Sequence, residues 1–282
     1  MLRIVMDSAG DLPPNWVEEY GIDVIPINIQ FGNETYLDGV DITNNDFYRF
    51  VDEKRIIPKT SQPTPQQFID FYNKIAQPGD AILSIHVTKK LSGTFESAIL
   101  ATRELIDRFQ IIPFDSGSGS VAMGYMCREA RLLNRAGVAL KEIVKRLEFM
   151  RNNINIILTL DTLDYAKMSG RVKALQAALA SLLNVKPIIR LKDGALDMAD
   201  KVRTRSKSIA YIINQAYELV GEKRIMAAVV HAQDKSSAQR IYEALKLKFN
   251  TADLILTDLS IAVAANLGPG TVGIMTCPLK EE

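Results

Sequence analysis

The chain has 282 residues, which is long for one hydrophobic core and typical of two domains. Lys and Arg number 34 against 33 for Asp and Glu, so the charge balance does not indicate a nucleic-acid-binding protein. Hydrophobic residues make up 47% and charged residues 24%, the proportions of an ordinary soluble globular protein, and no apolar run approaches the length of a membrane span.

Cysteine and histidine usage bears on the cellular compartment and on metal binding. Cys127 and Cys277 are far apart in sequence and form no Cys-x-x-Cys pair, which favours two reduced thiols in a cytoplasmic protein. Met1–Asp7 predicts a short strand that ends in an acid, and not a signal peptide. Two histidines without clustered acidic or thiol neighbours do not favour a metal site, and we expect no cofactor.

Strands and helices alternate in the first half of the chain, and polar turns follow the strands. Periodicity and turn residues predict strands at 2–6, 23–31, 35–37, 81–87 and 111–114, and helices that begin near Pro14, Asn44, Pro65, Thr94, Val121 and Leu140. Thr64 and Gln67 form the signature of a capping box. Ser8, Ser92 and Ser116 each belong to a turn that follows a strand. Repeated β-turn-α units of this kind predict a parallel sheet with its cleft at one edge.

The second half is expected to form a mixed sheet covered by helices. The patterns predict strands at 154–160, 185–191, 195–203, 225–231, 253–257 and 271–275, and helices at 163–168, 175–183, 206–220 and 234–247, with a further short helix before Asn266. Asp193-Gly194 joins two of these strands and is a strong hairpin signal. We place the domain boundary so that the N-terminal domain covers 1–155 and the C-terminal domain covers 156–282.

Two hydroxyl-rich corners stand on either side of one predicted helix and one predicted strand. The first corner contains Thr60 and Ser61, and the second contains Ser92, Gly93 and Thr94. The hydroxyls are uncharged donors, and glycine lets backbone come close to a ligand, so the corners suit a carboxylate or phosphate oxygen. The alternative, which the residues alone leave open, is that these side chains cap helices and fill turns.

Familiar catalytic motifs are not favoured. No Gly-x-Ser-x-Gly elbow occurs, and a nucleophilic serine would have only His86 or His231 as its base. A lone histidine at the end of a buried strand is more often structural than catalytic. Residues 268–273 match Gly-x-Gly-x-x-Gly by letter, but a helix precedes them and a strand follows, the reverse of a dinucleotide site. We therefore assign Gly268 to a tight turn that faces the cleft.

Three arginines are candidates for a functional cation. Arg171 follows a glycine, while Arg203 and Arg205 lie beyond the predicted hairpin. The alternative for each is a solvated surface charge.

A set of short segments distributed along the chain carries a family likeness. They are Asp7-Ser8-Ala9-Gly10-Asp11-Leu12-Pro13, Thr60-Ser61-Gln62-Pro63-Thr64-Pro65, Leu91-Ser92-Gly93-Thr94-Phe95, Asp115-Ser116 with Ser120, Lys186-Pro187-Ile188, Lys201-Val202-Arg203 and Gly268-Pro269-Gly270. With these segments the chain resembles the DegV family of bacterial fatty acid-binding proteins over nearly its whole length.

The resemblance implies a DegV-like α/β fold of two domains. The N-terminal domain would be a three-layer α/β/α domain with a parallel sheet and would carry the head-group site. The C-terminal domain would be a two-layer α/β domain with a mixed sheet and would complete a cleft for a long-chain fatty acid. The resemblance also implies a non-catalytic carrier that presents the fatty acid to a separate ATP-dependent fatty acid kinase for acyl phosphate formation.

The resemblance also implies roles for individual residues. Thr60 and Ser92 would hold the carboxylate, and Arg203 would dock the kinase. The further ligand-binding candidates are Ser61, Gly93, Thr94, Arg171, Asn266 and Gly268. Two positions depart from the family pattern: Ser169 replaces the first of two glycines before Arg171, and Asn266 replaces a common histidine, so that it donates a hydrogen bond but carries no charge.

A function of another class is the main alternative. The same hydroxyl corner would suit a hydrolase or phosphotransferase that acts on a small phosphorylated metabolite. The sequence offers no convincing base, metal ligand set or phosphate-binding loop for such an enzyme.

Overall fold

The computed structural model describes residues 1–172 and 185–280. The helix expected at 175–183 lies outside the described residues. The chain divides into two compact units, Met1–Arg151 with Ser260–Val263 and Asn152–Leu259 with Ala264–Glu282. The segment Ser260–Val263 therefore belongs with the first unit, although the residues on either side of it belong to the second. A single domain boundary in the sequence cannot describe this arrangement.

The strands are β1 (Leu2–Asp7), β2 (Ile22–Ile25), β3 (Asn28–Phe31), β4 (Glu34–Leu37), β5 (Lys59–Ser61), β6 (Ala81–His86), β7 (Gln110–Asp115), β8 (Asn155–Thr159), β9 (Lys186–Lys192), β10 (Ala195–Val202), β11 (Ile225–His231), β12 (Thr251–Asp258) and β13 (Val272–Pro278). The described helices are Pro14–Glu19, Asn44–Lys54, Pro65–Ile75, Thr94–Glu104, Ser120–Arg135, Leu140–Asn153, Asp164–Ser169, Arg205–Val220, Lys235–Lys248 and Ile261–Leu267.

A parallel sheet in the order β2-β1-β6-β7 forms the centre of the first unit. One face packs against the helices Pro65–Ile75 and Thr94–Glu104 through a continuous apolar core. The other face meets the helix Ser120–Arg135, where Met6 approaches Met123. Central strands of such a sheet are buried on both faces, and β1 and β6 are accordingly buried along most of their length. This parallel sheet is the predicted one.

Residues 23–31, predicted as a single strand, form parts of two strands in different sheets. β2 joins the parallel sheet, whereas β3 pairs antiparallel with β4 and β5 in a separate small sheet. The break falls at Pro26, whose nitrogen has no hydrogen to donate to a strand ladder. The predicted hairpin between β3 and β4 is present and turns at Gly32-Asn33.

A mixed sheet in the order β10-β9-β8-β13-β11-β12 forms the second unit. Only β11 and β12 run parallel among these neighbours. The predicted Asp-Gly hairpin joins β9 to β10, and both Asp193 and Gly194 adopt positive φ, as such a turn requires. The helices Arg205–Val220 and Lys235–Lys248 cover the sheet through a shared apolar core. The mixed sheet with its helical layer agrees with the prediction.

No helix in the described ranges 1–172 and 185–280 is long and apolar enough to cross a membrane. Within those same ranges, no group of three or more His, Cys, Asp or Glu side chains is placed to hold a metal ion. Cys127 and Cys277 are buried free thiols. Burial raises the pKa of Cys127, so this thiol is kept protonated and unreactive.

Candidate functional site

Three neighbouring strands of the first unit end at the same edge of the parallel sheet. β1 ends at Asp7, β6 at His86 and β7 at Asp115. Ser8 and Ser116 follow the outer two of these strand ends directly. The carboxyl edge of a parallel sheet is where α/β folds place their ligands, so a ligand site is expected at this edge.

The first hydroxyl corner lies on β5 and the turn after it. Thr60 and Ser61 are half-buried, and Thr60 pairs with Ile29 of β3. Thr64 makes the predicted capping box: its hydroxyl accepts from the Gln67 N–H at 3.2 Å, and its own N–H donates to Gln67 Oε1 at 2.8 Å. The helix therefore uses Thr64 as its cap, while Thr60 and Ser61 precede the cap on a strand.

The second hydroxyl corner is a hydroxyl pair at a helix start. Gly93 is the N-cap residue, and Thr94 is the first residue of the helix Thr94–Glu104, which has no side-chain cap bond. The Ser92 and Thr94 hydroxyl oxygens are 2.8 Å apart. One hydroxyl donates to the other, so the acceptor of the pair keeps its own hydrogen for a further partner. The idea that Thr94 caps this helix is wrong, because it lies inside the first turn.

The two corners meet at Gly93. A Cβ atom at this position would lie 2.9 Å from Gln62 Nε2 and 3.2 Å from Gln62 Cδ, so a side chain here would push Gln62 away. Gln62 directly follows Ser61, and Gly93 directly follows Ser92. The glycine thus permits the close approach of two segments that are about thirty residues apart in sequence.

A buried hydrogen-bonded chain runs from Asp7 through His86 and Ser84 to Tyr72 in the first unit. Asp7 Oδ2 is 3.1 Å from His86 Nδ1, His86 Nε2 is 2.7 Å from Ser84 Oγ, and Ser84 Oγ is 2.7 Å from the Tyr72 hydroxyl. Asp7 Oδ2 also accepts from the Val87 N–H at 2.9 Å. Ser84, His86 and Asp7 have the order of a serine-hydrolase triad, but each is 0% exposed. No substrate reaches Ser84, so the structural interpretation of His86 is the one that fits.

The turn after β1 is also held by its own polar side chains. Ser8 Oγ donates to Asp38 Oδ2 at 2.8 Å and accepts from the Ile27 N–H at 3.0 Å. Asp11 Oδ2 accepts from the Ser120 hydroxyl, and its Oδ1 accepts from the Ser260 N–H at 2.8 Å. The Asp-Ser-x-x-Asp segment therefore organises the edge of the sheet.

Two acids of this region have displaced pKa values. Burial raises the pKa of Asp11 to about 7, against the opposing effect of its hydrogen bonds from Ser120 and Ser260. Burial likewise raises the pKa of Asp38 to about 6, against hydrogen bonds from Ser8 and the Ala262 N–H. Both pKa values lie closer to neutrality than that of an ordinary carboxyl because the effect of burial exceeds that of the hydrogen bonds.

The second unit carries Arg171, a further ligand-binding candidate. Its Nη1 donates to the Ser169 carbonyl at 2.6 Å, and its backbone N–H donates to Ser169 Oγ at 3.4 Å. Burial lowers the pKa of Arg171, which is half-buried. Arg171 is therefore a partly desolvated cation, and the description of a solvated surface charge does not fit it.

Asn266 and Gly268 lie at the end of the helix Ile261–Leu267 and in the turn after it. Gly268 adopts φ of 84°, and a Cβ atom there would lie 2.8 Å from Tyr165 Cδ2. The Gly270 N–H donates to the Ala232 carbonyl at 2.7 Å. The glycines make a tight turn packed on the neighbouring segment, which agrees with the turn predicted from sequence.

Arg203 and Arg205 differ although they are two residues apart. Arg203 is exposed. Arg205 Nη2 donates to Asp234 Oδ2 and to the Gly270 carbonyl, each at 2.6 Å. Arg205 thus joins two helix starts and the glycine turn, so it is a structural ion-pair partner. Arg203 has the exposure that a docking residue needs.

His231, the other histidine, lies in the second unit at the end of β11. It is 3% exposed, and its Nδ1 lies 3.2 Å from Asp258 Oδ1 without hydrogen-bond geometry. Burial lowers the pKa of His231, although Asp258 and Asp234 act in the opposite direction. His231 is therefore a mainly neutral side chain at neutral pH.

The structure separates the expected site residues between the units. Thr60, Ser61, Ser92, Gly93 and Thr94 lie in the first unit, where the two corners meet, and the remaining candidates Arg171, Arg203, Asn266 and Gly268 lie in the second.

Asp38 and the segment Ser260–Val263 were not singled out from the sequence, although they share bonds with the Asp-Ser-x-x-Asp turn. Their contacts join residues as far apart as 249 positions, and no local pattern signals them.

The comparison with protein families decides which group of proteins this chain joins. The family described as "Uncharacterised protein, DegV family" matches residues 1–279. The chain belongs to the DegV family. Protein DegV of Bacillus subtilis is 31% identical over 282 residues, covering 98% of this chain and 99% of that protein.

Solved DegV structures share the fold over the full chain. A fatty acid-binding DegV family protein from Thermus thermophilus is 30% identical, with a TM-score of 0.89 and 99% coverage of both chains. DegV from Bacillus subtilis, described as a fatty acid-binding protein, is also 30% identical, with a TM-score of 0.89 and 99% coverage of both. These likenesses confirm the DegV-like fold expected from the sequence.

Proposed function

We propose that this DegV protein binds a long-chain fatty acid as a non-catalytic carrier, with the carboxylate held by Thr60 and Ser92. The observation that carries the proposal is the meeting of the two hydroxyl corners at Gln62 and Gly93. It brings the Gln62 side chain, which follows the first corner, against the residue next to Ser92 in the first unit. The fatty acid binding of the Thermus and Bacillus relatives supports the same ligand. Ser61, Gly93 and Thr94 are neighbours that complete this corner.

The physical chemistry of the ligand fits neutral donors. Burying roughly 14 methylenes at ~0.8 kcal/mol each contributes on the order of 10 kcal/mol before association costs. A buried carboxylate without hydrogen bonds would oppose this gain. Thr60 and Ser92 supply donors without a permanent positive charge, and Thr94, which is 0% exposed, is hydrogen-bonded to the Ser92 hydroxyl. The hydrocarbon tail thus sets the affinity, and the hydroxyls keep the head group from opposing it.

The buried triad argues against the hydrolase alternative. A nucleophile must reach its substrate, and Ser84 is 0% exposed between His86 and Tyr72. Its hydroxyl is already shared by two buried partners. We therefore favour ligand binding over catalytic turnover. No observation on the described residues specifically supports a phosphotransferase.

The test of the ligand is a binding titration with oleic acid. The double variant Thr60→Val with Ser92→Ala keeps side-chain volume and removes two donors, so we expect an affinity loss of about tenfold or more. The control is Thr35→Val with Ser236→Ala, which deletes the same atoms at exposed positions. Equal affinities of both double variants would count against the assigned head-group site.

A second part of the proposal is that the carrier works in the cytoplasm with a separate fatty acid kinase. Arg203 is exposed beyond β10, as a docking cation must be. We expect Arg203→Ala to reduce acyl phosphate formation by an added fatty acid kinase while oleic acid binding stays unchanged. Arg224→Ala, another exposed arginine of the second unit, is the control. Equal rates for the two variants would remove Arg203 from the docking surface.

A further inference from the structure

A short segment remote in sequence is fixed to the first unit by two buried carboxylates. The segment is Ser260–Val263, which belongs to that unit. It contains the first residues of the helix Ile261–Leu267, and the same helix carries Asn266 three residues after Val263. Whatever fixes the segment also fixes the start of the helix on which this candidate ligand-binding residue lies.

Asp11 holds the first residue of the segment. Its Oδ1 accepts from the Ser260 N–H at 2.8 Å, and its Oδ2 accepts from the Ser120 hydroxyl at the start of the helix Ser120–Arg135. Asp11 is 3% exposed. A hydroxyl is able to reverse its role, so Ser120 also accepts from a protonated Asp11 while Oδ1 keeps the Ser260 N–H.

Asp38 holds the third residue of the segment. Its Oδ2 accepts from the Ala262 N–H at 3.1 Å and from the Ser8 hydroxyl at 2.8 Å. Asp38 is 6% exposed. The two acids therefore bind alternate N–H groups of one turn, and each shares its other bond with a serine.

The groups that act on these two acids are neutral or anionic. Ser120, Ser260 and Asp38 act on Asp11. Ser8, Ala262 and Asp7 act on Asp38. Asp7 in turn is bonded to His86, at 3.1 Å. Since like charges repel, ionisation of one acid in this cluster opposes ionisation of the next.

We propose that Asp11 and Asp38 are positioning residues that hold Ser260–Val263, and with it the start of the helix that carries Asn266, and that this hold is stronger when they are protonated. The inference rests on the proposed fatty acid function only for the role of Asn266. The hold itself is a property of the protein alone, so it is testable without ligand.

The sign follows from proton linkage. When the segment detaches from the first unit, Asp11 becomes exposed to solvent and its pKa falls towards the ordinary range of a carboxyl. While the segment is bound, burial keeps the pKa of Asp11 at about 7. The held state therefore takes up protons that the released state does not. Raising the pH from 6 to 8 should weaken the hold by about tenfold through Asp11 alone.

The first experiment is hydrogen exchange of the amides in Ser260–Val263, corrected for the intrinsic pH dependence of exchange. In the wild type the protection factor should fall about tenfold between pH 6 and pH 8. In Asp11→Asn only the smaller fall due to Asp38, about twofold, should remain, because the amide keeps the acceptor for Ser260 and a donor for Ser120. Asp107→Asn, the same change at an exposed position of the first unit, should behave as the wild type.

The variant Asp11→Ala distinguishes local detachment of Ser260–Val263 from a general loss of structure in the first unit. It removes the acceptor, so exchange in Ser260–Val263 should be fast at every pH, while exchange in β1 and β6 stays slow. Parallel pH slopes in the wild type and Asp11→Asn would overturn the proposal. So would an Asp11→Ala variant whose segment is still protected.

The second experiment follows the transfer of oleic acid from loaded protein to phosphatidylcholine vesicles. Release should speed up with pH in the wild type and Asp107→Asn, and less so in Asp11→Asn. A wild type that binds oleic acid but releases it with the same pH profile as Asp11→Asn overturns the positioning role and leaves the proposed function intact. A wild type that does not bind oleic acid overturns the proposed function itself, together with the role given to Asn266.

Discussion

Asp11 in the first unit and Asp234 in the second are both withdrawn from water, yet their pKa values move in opposite directions. Burial raises the pKa of Asp11 to about 7, and the donors around it are serine and backbone groups. Partial burial also opposes ionisation of Asp234, but hydrogen bonds from Ser237 and the charge of Arg205 outweigh it and lower the pKa. Burial outweighs the hydrogen bonds at Asp11, which is 3% exposed, whereas at the more exposed Asp234 the bonds from Ser237 and then the ion pair with Arg205 outweigh burial.

The contrast extends to what each acid does for its unit. Asp234 caps the helix Lys235–Lys248 by accepting from the Ser237 N–H at 3.0 Å, and it pairs with Arg205. Asp11 gathers two segments from distant parts of the chain through neutral bonds. Asp234 thus stabilises a helix start partly through its charge, and Asp11 joins remote segments through bonds that depend on its protonation state.

The largest expected effect concerns the pH dependence of the first unit. Because the folded-state pKa of Asp11 lies above that of the unfolded chain, the folded state holds more protons, and stability falls as pH rises from about 4 to about 7. Between pH 5 and pH 7.5 the loss from Asp11 should be about 2.5 kcal/mol. Urea unfolding followed by the fluorescence of Trp16, the single tryptophan, reports on this unit.

Asp11→Asn is the control for that titration. It should remove the slope that Asp11 contributes while Asp38 and the other groups continue to titrate. A wild-type slope equal to that of Asp11→Asn would show that the carboxyl is ordinary in the folded state and would erase the contrast with Asp234.

The next effect comes from removing the cation of the second unit. Arg205→Ala leaves Asp234 without its partner and deletes the bond to the Gly270 carbonyl, so we expect a loss of about 2 kcal/mol in the stability of the second unit. Arg203→Ala, two residues away and exposed, should change it by less than about 0.5 kcal/mol. Hydrogen exchange in β11 measures both. Similar losses for the two variants would contradict the assignment of Arg205 as the structural arginine.

The smallest expected effect comes from replacing Asp11 or Asp234 by the neutral asparagine and comparing the two changes in stability. Asp234→Asn keeps a side chain that caps helices well but gives up the pairing with Arg205, so it should cost about 1 kcal/mol at pH 7.5. Asp11→Asn at the same pH should cost nothing or stabilise, because it removes a buried charge. The same two exchange and fluorescence probes compare them. A larger cost for Asp11→Asn than for Asp234→Asn would reverse the account.

Local patterns predicted much of the fold. The Thr64–Gln67 capping box and the Asp193-Gly194 hairpin are present because their physics involves residues a few positions apart. The parallel sheet followed from repeated strand-turn-helix units. The error at 23–31 is also local in origin, since Pro26 ends one strand within a stretch whose apolar alternation continues past it.

The site was predictable only where motif residues are contiguous. Thr60, Ser61 and Ser92 stand out as hydroxyls near a helix start, but their approach depends on Gln62 meeting Gly93, a tertiary contact. Asp38 gave no signal, because its partner Ala262 lies 224 positions away. The ion pair of Arg205 with Asp234 joins residues 29 positions apart, so no local pattern predicts it. The sequence therefore does not distinguish Arg205 from Arg203.

Native mass spectrometry of the purified protein, with and without added oleic acid, tests the proposed carrier role most directly. We predict a complex of one chain with one fatty acid, largely retained in the Thr35→Val/Ser236→Ala control and depleted in the Thr60→Val/Ser92→Ala variant. A wild-type chain that stays free of fatty acid in the presence of excess oleic acid would contradict the account, as would a complex equally populated in all three proteins.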